Sequence, residues 1–170
     1  MELLALKVSA EVFVAVGMAL ALAHALEYPG KMQLDRATYT AIQRIYHPAF
    51  SIGGGIGEGL GVILTLALLV ITPGDSDQFN WIAAAFASVL AMQVVYWAIA
   101  RPVSNFWARP AQFGSAAPRF FGLSAAAQTR AEKEYETHWP ALQQWWEISH
   151  IARAALGFIG TVTIAVGVAS

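Results

Sequence analysis

Four long apolar segments separated by polar links dominate the pattern of this chain. The segments 3–26, 50–71, 81–100 and 140–168 are each about as long as the roughly 20 residues that a helix needs to cross a bilayer core. The pattern therefore predicts an all-α protein, with residues 1–170 forming a single integral membrane domain built as a four-transmembrane-helix bundle. The early Glu2 and the length of the first segment argue against a cleaved signal peptide.

The links between the apolar segments carry patterns of their own. In residues 35–46, Tyr39, Ile42 and Tyr46 are spaced as on one face of a helix, which predicts a short helix lying on the membrane surface. Residues 124–137 begin with Ser124 as a helix cap and predict a solvated helix. Residues 101–114 contain two prolines and have no period, which predicts an irregular segment.

Composition and charge support this assignment. Only 12% of the residues are charged, against about 25% in soluble domains. The net charge of −1 gives no indication of nucleic-acid binding, and the absence of cysteine excludes disulfides and thiolate metal sites. Eight lysines and arginines fall in the two long links, whereas Lys7 stands alone at the other face. This bias predicts cytoplasmic links and both termini outside.

Six glycines crowd residues 53–61 and resemble a phosphate-binding loop at first sight. No Lys-Ser or Lys-Thr pair follows them, and the segment continues into an apolar run with Pro48 at the expected first helical position, so a nucleotide site is excluded. Gly53, Gly57 and Gly61 recur every four residues, which favours close helix packing in lipid.

A second glycine pair, Gly55 and Gly59, leads to a further hypothesis. Missing side chains on one helix face would leave a slot for a flat ligand beside Glu58. Ionisable groups inside a span cost about 2.5–3.5 kcal/mol at its centre, so Glu11, Glu58 and Glu147 are candidates for function. The two interpretations of these carboxyls, a hydrogen bond between helices and proton handling, both stay open.

Histidines and cations are predicted to meet at the level of the long links. His150 has Glu147 and Arg153 three residues away on either side, so the three can share a helix face. Because the chain is predicted to cross the membrane four times, further histidines and polar residues fall at the same membrane level. They are His24, His47, His138, Arg44, Arg101 and Asn105. Histidine is suited to proton transfer near neutral pH, so a shared site is expected there.

Two motifs resemble a known family. The sequence PVSNFW after the third span and WWEISHIAR in the fourth are similar to the signature of the anthrone-oxygenase-like integral membrane family, whose members are small four-helix bacterial and fungal proteins, many of unknown function. The matching positions are Pro102, Asn105, Trp107, Trp146, His150 and Arg153. The resemblance implies a bacterial inner-membrane protein.

Some members of that family resemble cofactor-independent oxygenases that convert anthrones to anthraquinones. The resemblance then implies catalytic roles for His150 as the base and for Arg153 and Asn105 as groups that stabilise an oxyanion. A hydrophobic aromatic or quinone-like molecule would be contacted by His24, Glu58, Tyr96, Arg101, Trp107 and Trp146.

Other classes of function stay open from sequence. Pairs among His24, His47 and His150 would be suitable axial ligands for haem, and His24, Glu27, His47 and His150 together would suit a metal ion. A third alternative is a non-catalytic accessory subunit of a larger membrane complex, or a homo-oligomer, that docks through the glycine-rich helix. Whether the protein is an enzyme is not determined by the sequence.

Overall fold

The computed structural model describes residues 2–107 and 125–170, without the side chains of residues 2, 44, 47, 48, 105–107 and 125–137. In this part of the chain only the links 32–35 and 72–76 and the last residue are not helical. The helices are α1 (Glu2–Lys31), α2 (Arg36–Ile71), α3 (Asp77–Val95), α4 (Arg101–Trp107) and α5 (Ala125–Ala169), and a π turn (Tyr96–Ala100) joins α3 to α4. Helix α5 is kinked at His138, whose φ is −121° and ψ is 19°.

Four helical stretches in the described part are long and apolar enough to cross a membrane. They are Leu3–Lys31, Ala49–Ile71, Asp77–Ser104 and His138–Ala169. Each contains the whole of one of the four predicted spans, so the prediction of an all-α four-helix membrane protein is confirmed. The first and third stretches extend past the predicted ends, because α1 continues through Glu27 and Pro29, and α3 continues through the π turn into α4.

The separate surface helix predicted over residues 35–46 is wrong. Helix α2 begins at Arg36 and continues without a break into the second span, so Pro48 is not its first residue. The helix begins there because Asp35 caps it, its carboxylate accepting the Thr38 backbone N–H at 2.9 Å. The spacing of Tyr39 indicated the helix correctly, but this side chain is buried inside the bundle and does not face lipid.

The other two predictions for the links have mixed outcomes. The irregular segment predicted over residues 101–114 is wrong for 101–107, which form α4, and the rest of it lies outside the described residues. Residues 125–137 are helical as predicted, but they run into the fourth span through the kink at His138. The predicted cap Ser124 lies outside the described residues.

The long helices are arranged as an up-and-down bundle. Helix α5 packs along α1 and α3, α1 also packs along α2, and α2 and α3 share a smaller interface. The order around the bundle is therefore α1, α2, α3, α5, which places α2 and α5 on a diagonal. A polar contact between α2 and α5 must consequently pass through the interior of the bundle.

The two ends of the bundle differ in packing, and they are named here by that difference. The packed half comprises residues 2–17, 60–71, 77–89 and 157–169, and its core is made of small and aliphatic side chains: Ala10, Val14, Leu68, Ile82, Ala85, Val89 and Ile164. The cavity half comprises residues 18–59, 90–107 and 138–156. At the boundary, a Cβ on Gly57 would lie 2.9 Å from the backbone nitrogen of Gly17, and one on Gly157 would lie 2.8 Å from the Met18 Cβ.

Candidate functional site

A cavity of about 940 Å³ lies between the four helices in the cavity half. Ligand sites in proteins commonly have volumes of about 300–1,000 Å³, so this one is large enough for a polycyclic molecule. Its wall combines aromatic rings, a glycine face and a few buried ionisable groups. Every spanning helix contributes to it, among them His24 of α1, Glu58 of α2, Val94 of α3, and Trp146, His150 and Arg153 of α5. Most of the lining surface is apolar.

Two buried histidines face each other in this wall. The ring centres of His24 and His150 are 4.4 Å apart, and the rings are tilted by 58°. Lys31 Nζ lies 3.0 Å from His24 Nδ1. A lysine ammonium has no acceptor, so Nδ1 accepts and a neutral His24 carries its hydrogen on Nε2.

His150 has the opposite tautomer. Its Nδ1 lies 2.9 Å from the carbonyl oxygen of Trp146. A carbonyl oxygen can only accept, so Nδ1–H donates and the lone pair of the neutral ring is on Nε2. The hydrogen bond to its own helix thus fixes the orientation of the imidazole and leaves the basic nitrogen at the far edge of the ring.

Lys31 links His24 to the surface of the protein. Its ammonium is 2.6 Å from Glu27 Oε2, and the side chain of Lys31 is 5% exposed whereas that of Glu27 is 33% exposed. The predicted candidate Glu27 therefore pairs with a lysine that sequence reasoning missed. The signal was present, because Lys31 stands two helical turns after His24, but the first span was expected to end at residue 26.

An ion pair crosses the bundle on the diagonal and forms part of the cavity wall. Glu58 of α2 and Arg153 of α5 are both buried, and a guanidinium nitrogen, Nη2, donates to Glu58 Oε1. The guanidinium carbon of Arg153 also lies 5.4 Å from the centre of the Tyr96 ring. Its Nε has no hydrogen-bond partner within the described part of the chain. Such a group is suitable for contacting a polar atom of a ligand.

A second diagonal contact lies nearer the end of the bundle where α1 ends and α2 begins, called the link end here. The Tyr39 hydroxyl donates to Glu147 Oε1 at 2.5 Å, and both side chains are fully buried. Glu147 lies on the same inner face of α5 as His150 and Arg153, as the sequence spacing predicted, although its partner is on α2. Gln143 donates to the carbonyl oxygen of Lys31 at 3.4 Å. These residues form a buried polar layer between the cavity and the link end.

The glycines of α2 divide between two faces. A Cβ on Gly53 would lie 3.1 Å from Leu20 Cδ1, and one on Gly61 would lie 3.3 Å from Val14 Cγ2, so these two and Gly57 pack against α1. The predicted close helix contact is confirmed. The opposite face is open, because a Cβ on Gly54 or Gly59 would meet no atom within 4 Å. Gly54, Gly55 and Gly59 line the cavity beside Glu58.

The π turn forms the wall contributed by α3. The Arg101 backbone N–H bonds to the Tyr96 carbonyl, which adds one residue to the usual helical turn. Tyr96, Trp97 and Ala100 of this turn line the cavity, and the Arg101 guanidinium carbon lies 4.8 Å from the centre of the Trp97 ring. Sequence reasoning missed this turn, since the third span has uniform hydropathy with no proline or glycine inside it.

Most of the predicted site residues line one cavity. They are His24, Glu58, Tyr96, Arg101, Trp146, His150 and Arg153. The side chains of Asn105, Trp107, His47 and Arg44 lie outside the described residues, so their roles stay predictions. The expectation that His138 joins the cluster is wrong, because it is exposed at the kink of α5. Glu11 belongs to the packed half, far along α1 from the cavity.

The geometry does not suit the haem hypothesis for the His24–His150 pair. Metal–imidazole bonds of about 2 Å on opposite sides of one ion would hold the ring centres roughly 6 Å apart or more. The observed centres are only 4.4 Å apart. Among the side chains that the structure describes, no group of three or more His, Asp or Glu residues is placed to hold a metal ion. Combinations with His47 fall outside this part.

Comparison with known proteins gives little independent information. No family model matches the chain, and no solved structure matches it. A glycine betaine transporter of Vibrio parahaemolyticus, glycine betaine transporter 2, is 33% identical over 55 residues, which are 32% of this chain and 10% of the transporter. The matched region thus spans about a tenth of the transporter's length, and the similarity agrees with membrane character without assigning a family.

Proposed function

We propose that this integral membrane protein binds a flat, hydrophobic aromatic or quinone-like molecule in the cavity of its four-helix bundle. The observation that carries the proposal is the position of His150, a buried imidazole with its lone pair on Nε2, in the same cavity wall as Arg153 and the Trp146 ring. An aromatic wall selects flat apolar molecules, and the few polar groups orient them.

The polar groups have complementary chemical roles. His150 Nε2 accepts a proton from a phenolic hydroxyl or from an acidic carbon next to a carbonyl. Arg153 then stabilises the resulting oxyanion, and its unpaired Nε is a donor for that oxygen. Glu58 orients the guanidinium and balances its charge while the site is empty. Tyr96 and Trp97 of the π turn border the ring of the ligand on the other side.

Catalysis is the finer part of the proposal, and it follows the resemblance to the anthrone-oxygenase-like family. In such a reaction an anthrone loses a proton from its methylene carbon to His150, and the carbanion reacts with O₂. One oxygen atom becomes the new carbonyl, and the other leaves with both methylene hydrogens as water. Membership of that family and the role of Asn105 stay predictions.

Turnover of anthrone tests the catalytic part. Purified protein in lipid nanodiscs is expected to consume one O₂ per anthraquinone formed, and His150→Ala is expected to lower the rate by about 10²-fold or more, within the range typical of a general base. His138→Ala is the matched control, because His138 is exposed at the kink of α5. Equal rates in the wild type and His150→Ala would refute the assignment of the base.

Binding is tested separately from turnover with menadione, a naphthoquinone. Trp146→Ala is expected to weaken its binding by about tenfold, as expected for removal of a buried aromatic contact. Trp145→Ala is the matched control, since the neighbouring Trp145 is 54% exposed and Trp146 is 5% exposed. If both variants bind as the wild type does, the ligand does not occupy this cavity.

The alternative functions have less support. Haem ligation by His24 and His150 conflicts with the spacing of their rings. Transport of the kind that the partial relative's name describes rests on a match to a tenth of that protein. An accessory role in a larger complex, or a homo-oligomer, stays a prediction, and it would be favoured by co-purification with a fixed partner.

A further inference from the structure

The cavity opens between α2 and α3. The lining residues that are exposed all belong to α2, α3 or the π turn: Gly55, Leu90, Val94, Trp97 and Ala98. By contrast, the lining residues of α5, namely Trp146, His150 and Arg153, are buried, and those of α1 are buried or half-buried. The mouth therefore lies on one side of the bundle, at the interface that is the smallest among the four neighbouring helix pairs.

This mouth lies at the depth of the lipid acyl chains. Gly55 and Gly59 are inside the span Ala49–Ile71, and Leu90 and Val94 are inside the span Asp77–Ser104. At 1.5 Å per residue, the two glycines are about 9 and 15 Å along the helix from Ala49. The exposed rim of the mouth is made of glycine and apolar side chains. It therefore presents no charged group that would have to lose its water to face lipid tails.

The route from the link end is covered by protein in the described part of the chain. The Tyr39 hydroxyl donates to Glu147 across the bundle, and the Lys31 ammonium donates to His24. Gln143 donates to the backbone carbonyl of Lys31. All of these side chains are buried, so the polar layer separates the cavity from the water side. A ligand held by His150 and Arg153 has a more open path sideways into the bilayer.

We infer that the ligand is a membrane-resident amphiphile: its ring and polar oxygen lie at His150 and Arg153, and an apolar tail passes between α2 and α3 into the bilayer. The inference rests on the proposed function, and it specifies the class of ligand. A polar inner end and an apolar outer end of one cavity match a quinone-like ring with an isoprenoid or alkyl tail. The open side of Gly59 is where the tail leaves the bundle.

Two probes with the same ring test the inference. Menadione has no tail, and menaquinone-2 carries a short isoprenoid tail on the same naphthoquinone. Their retention is measured at equilibrium in nanodiscs containing the protein, and empty nanodiscs give the partition into lipid alone. The wild type is expected to bind menaquinone-2 at least about tenfold more tightly than menadione after this correction.

Variants at the mouth locate the tail. Gly59→Leu places a side chain in open space on the rim and is expected to weaken menaquinone-2 binding by about tenfold, with a clearly smaller effect on menadione. Gly30→Leu is the matched control, because Gly30 is also helical, a Cβ there would also meet no atom within 4 Å, and it lies away from the cavity. It is expected to leave both affinities unchanged.

The outcomes separate the inference from the proposed function. If neither probe binds the wild type, the proposed function fails, and the inference fails with it. If menadione binds as tightly as menaquinone-2, or if Gly59→Leu weakens both probes equally or neither, the cavity binds a ring but the tail does not leave between α2 and α3. Should Gly59→Leu fail to fold, Val94→Trp obstructs the same mouth from α3 and decides the question.

Discussion

The packed half and the cavity half use the same four helices in opposite ways. In the packed half the helices touch through small residues, and a Cβ on Gly160 would lie 3.0 Å from Val89 Cγ2. In the cavity half the same helices are held apart, and His24, Glu58 and Arg153 occupy the interior together with an open volume of about 940 Å³. Close packing gains dispersion contacts in lipid, whereas buried ion pairs give little net stability.

The difference indicates a division of roles between the two ends. The packed half holds the helices together, and the cavity half arranges polar groups that a bundle selected for stability alone would not contain. Changes in the packed half should therefore affect folding, and paired changes in the cavity half should affect binding with little effect on folding.

The largest expected effect comes from breaking the diagonal ion pair on one side. Glu58→Leu leaves the buried Arg153 guanidinium without its counter-ion, which is expected to destabilise the protein by about 3–5 kcal/mol. The measurement is the thermal unfolding midpoint in detergent, followed by circular dichroism.

The double variant Glu58→Leu with Arg153→Met is the informative control. Replacing both charges by apolar groups is expected to restore most of the stability while abolishing menadione binding. If the double variant is as unstable as the single one, the pair stabilises the fold, and the division of roles is wrong.

The next largest effect is expected at the crossing of α1 and α5. Gly157→Leu forces a side chain against Met18, where the Cβ would already lie 3.0 Å from the Met18 Cα, so the helices must separate. A destabilisation of about 3 kcal/mol, at the upper end for overpacking, is expected in the same unfolding assay.

Gly54→Leu is the counterpart in the cavity half. Its Cβ would meet nothing within 4 Å, so the variant should fold normally but fill the cavity and lose menadione binding. Normal stability of Gly157→Leu would contradict the tight packing of the boundary.

A smaller effect is expected in the polar layer. Tyr39→Phe removes the hydroxyl that donates to Glu147 and leaves this carboxyl without a hydrogen-bond partner among the described residues. The expected loss of stability is about 1 kcal/mol or somewhat more. A double cycle with Glu147→Leu, which removes the acceptor, measures the coupling between the two side chains, and additive effects would show that the contact contributes nothing.

The smallest effect is expected outside the membrane, at the start of α2. The Thr38 backbone N–H and hydroxyl donate to Asp35, and this lowers the pKa of its carboxyl below the ordinary 3.8. A lowered pKa means that the stabilisation is present above pH 3.8 and is lost as the pH falls through the lowered value.

Asp35→Asn separates the charge from the cap. Asparagine also caps helices, so the protection of the first-turn amides of α2 against hydrogen exchange should match the wild type near pH 7. This protection, corrected for the intrinsic exchange rate at each pH, should no longer change with pH in the acid range. If the protection in Asp35→Asn still changed with pH in the acid range, a titratable group other than Asp35 would be responsible.

Much of the fold was predictable from sequence, because hydropathy alone marks segments that must cross a bilayer. The glycine faces of α2 were also predictable, since spacing determines which residues share a side of a helix. The continuity of α2 was missed because Pro48 is typical of a first helical turn, although a helix over residues 35–46 was predicted. The burial of Tyr39 against α5 explains why this segment joins the bundle and does not lie on the membrane surface.

The partners within the site were harder to predict than its members. His150 and Arg153 were expected to meet other helices at one level, and they do so. That Glu58 pairs with Arg153, and Glu147 with Tyr39, depends on which helices are diagonal in the bundle. A single sequence determines the faces of helices but does not determine their order around the bundle.

The π turn makes the cavity wall depend on the length of the chain as well as on its residue types. Because this turn contains one residue more than an α-helical turn, deleting Ala98 would allow α3 to continue as regular α-helix into α4. The side chains before and after the deletion would keep their relative orientation, because the deletion removes the one residue that the wide turn absorbs. If the same residues wound as regular α-helix without a deletion, Arg101 and Ser104 would instead rotate by about 100° away from the ligand, so the π turn sets their direction.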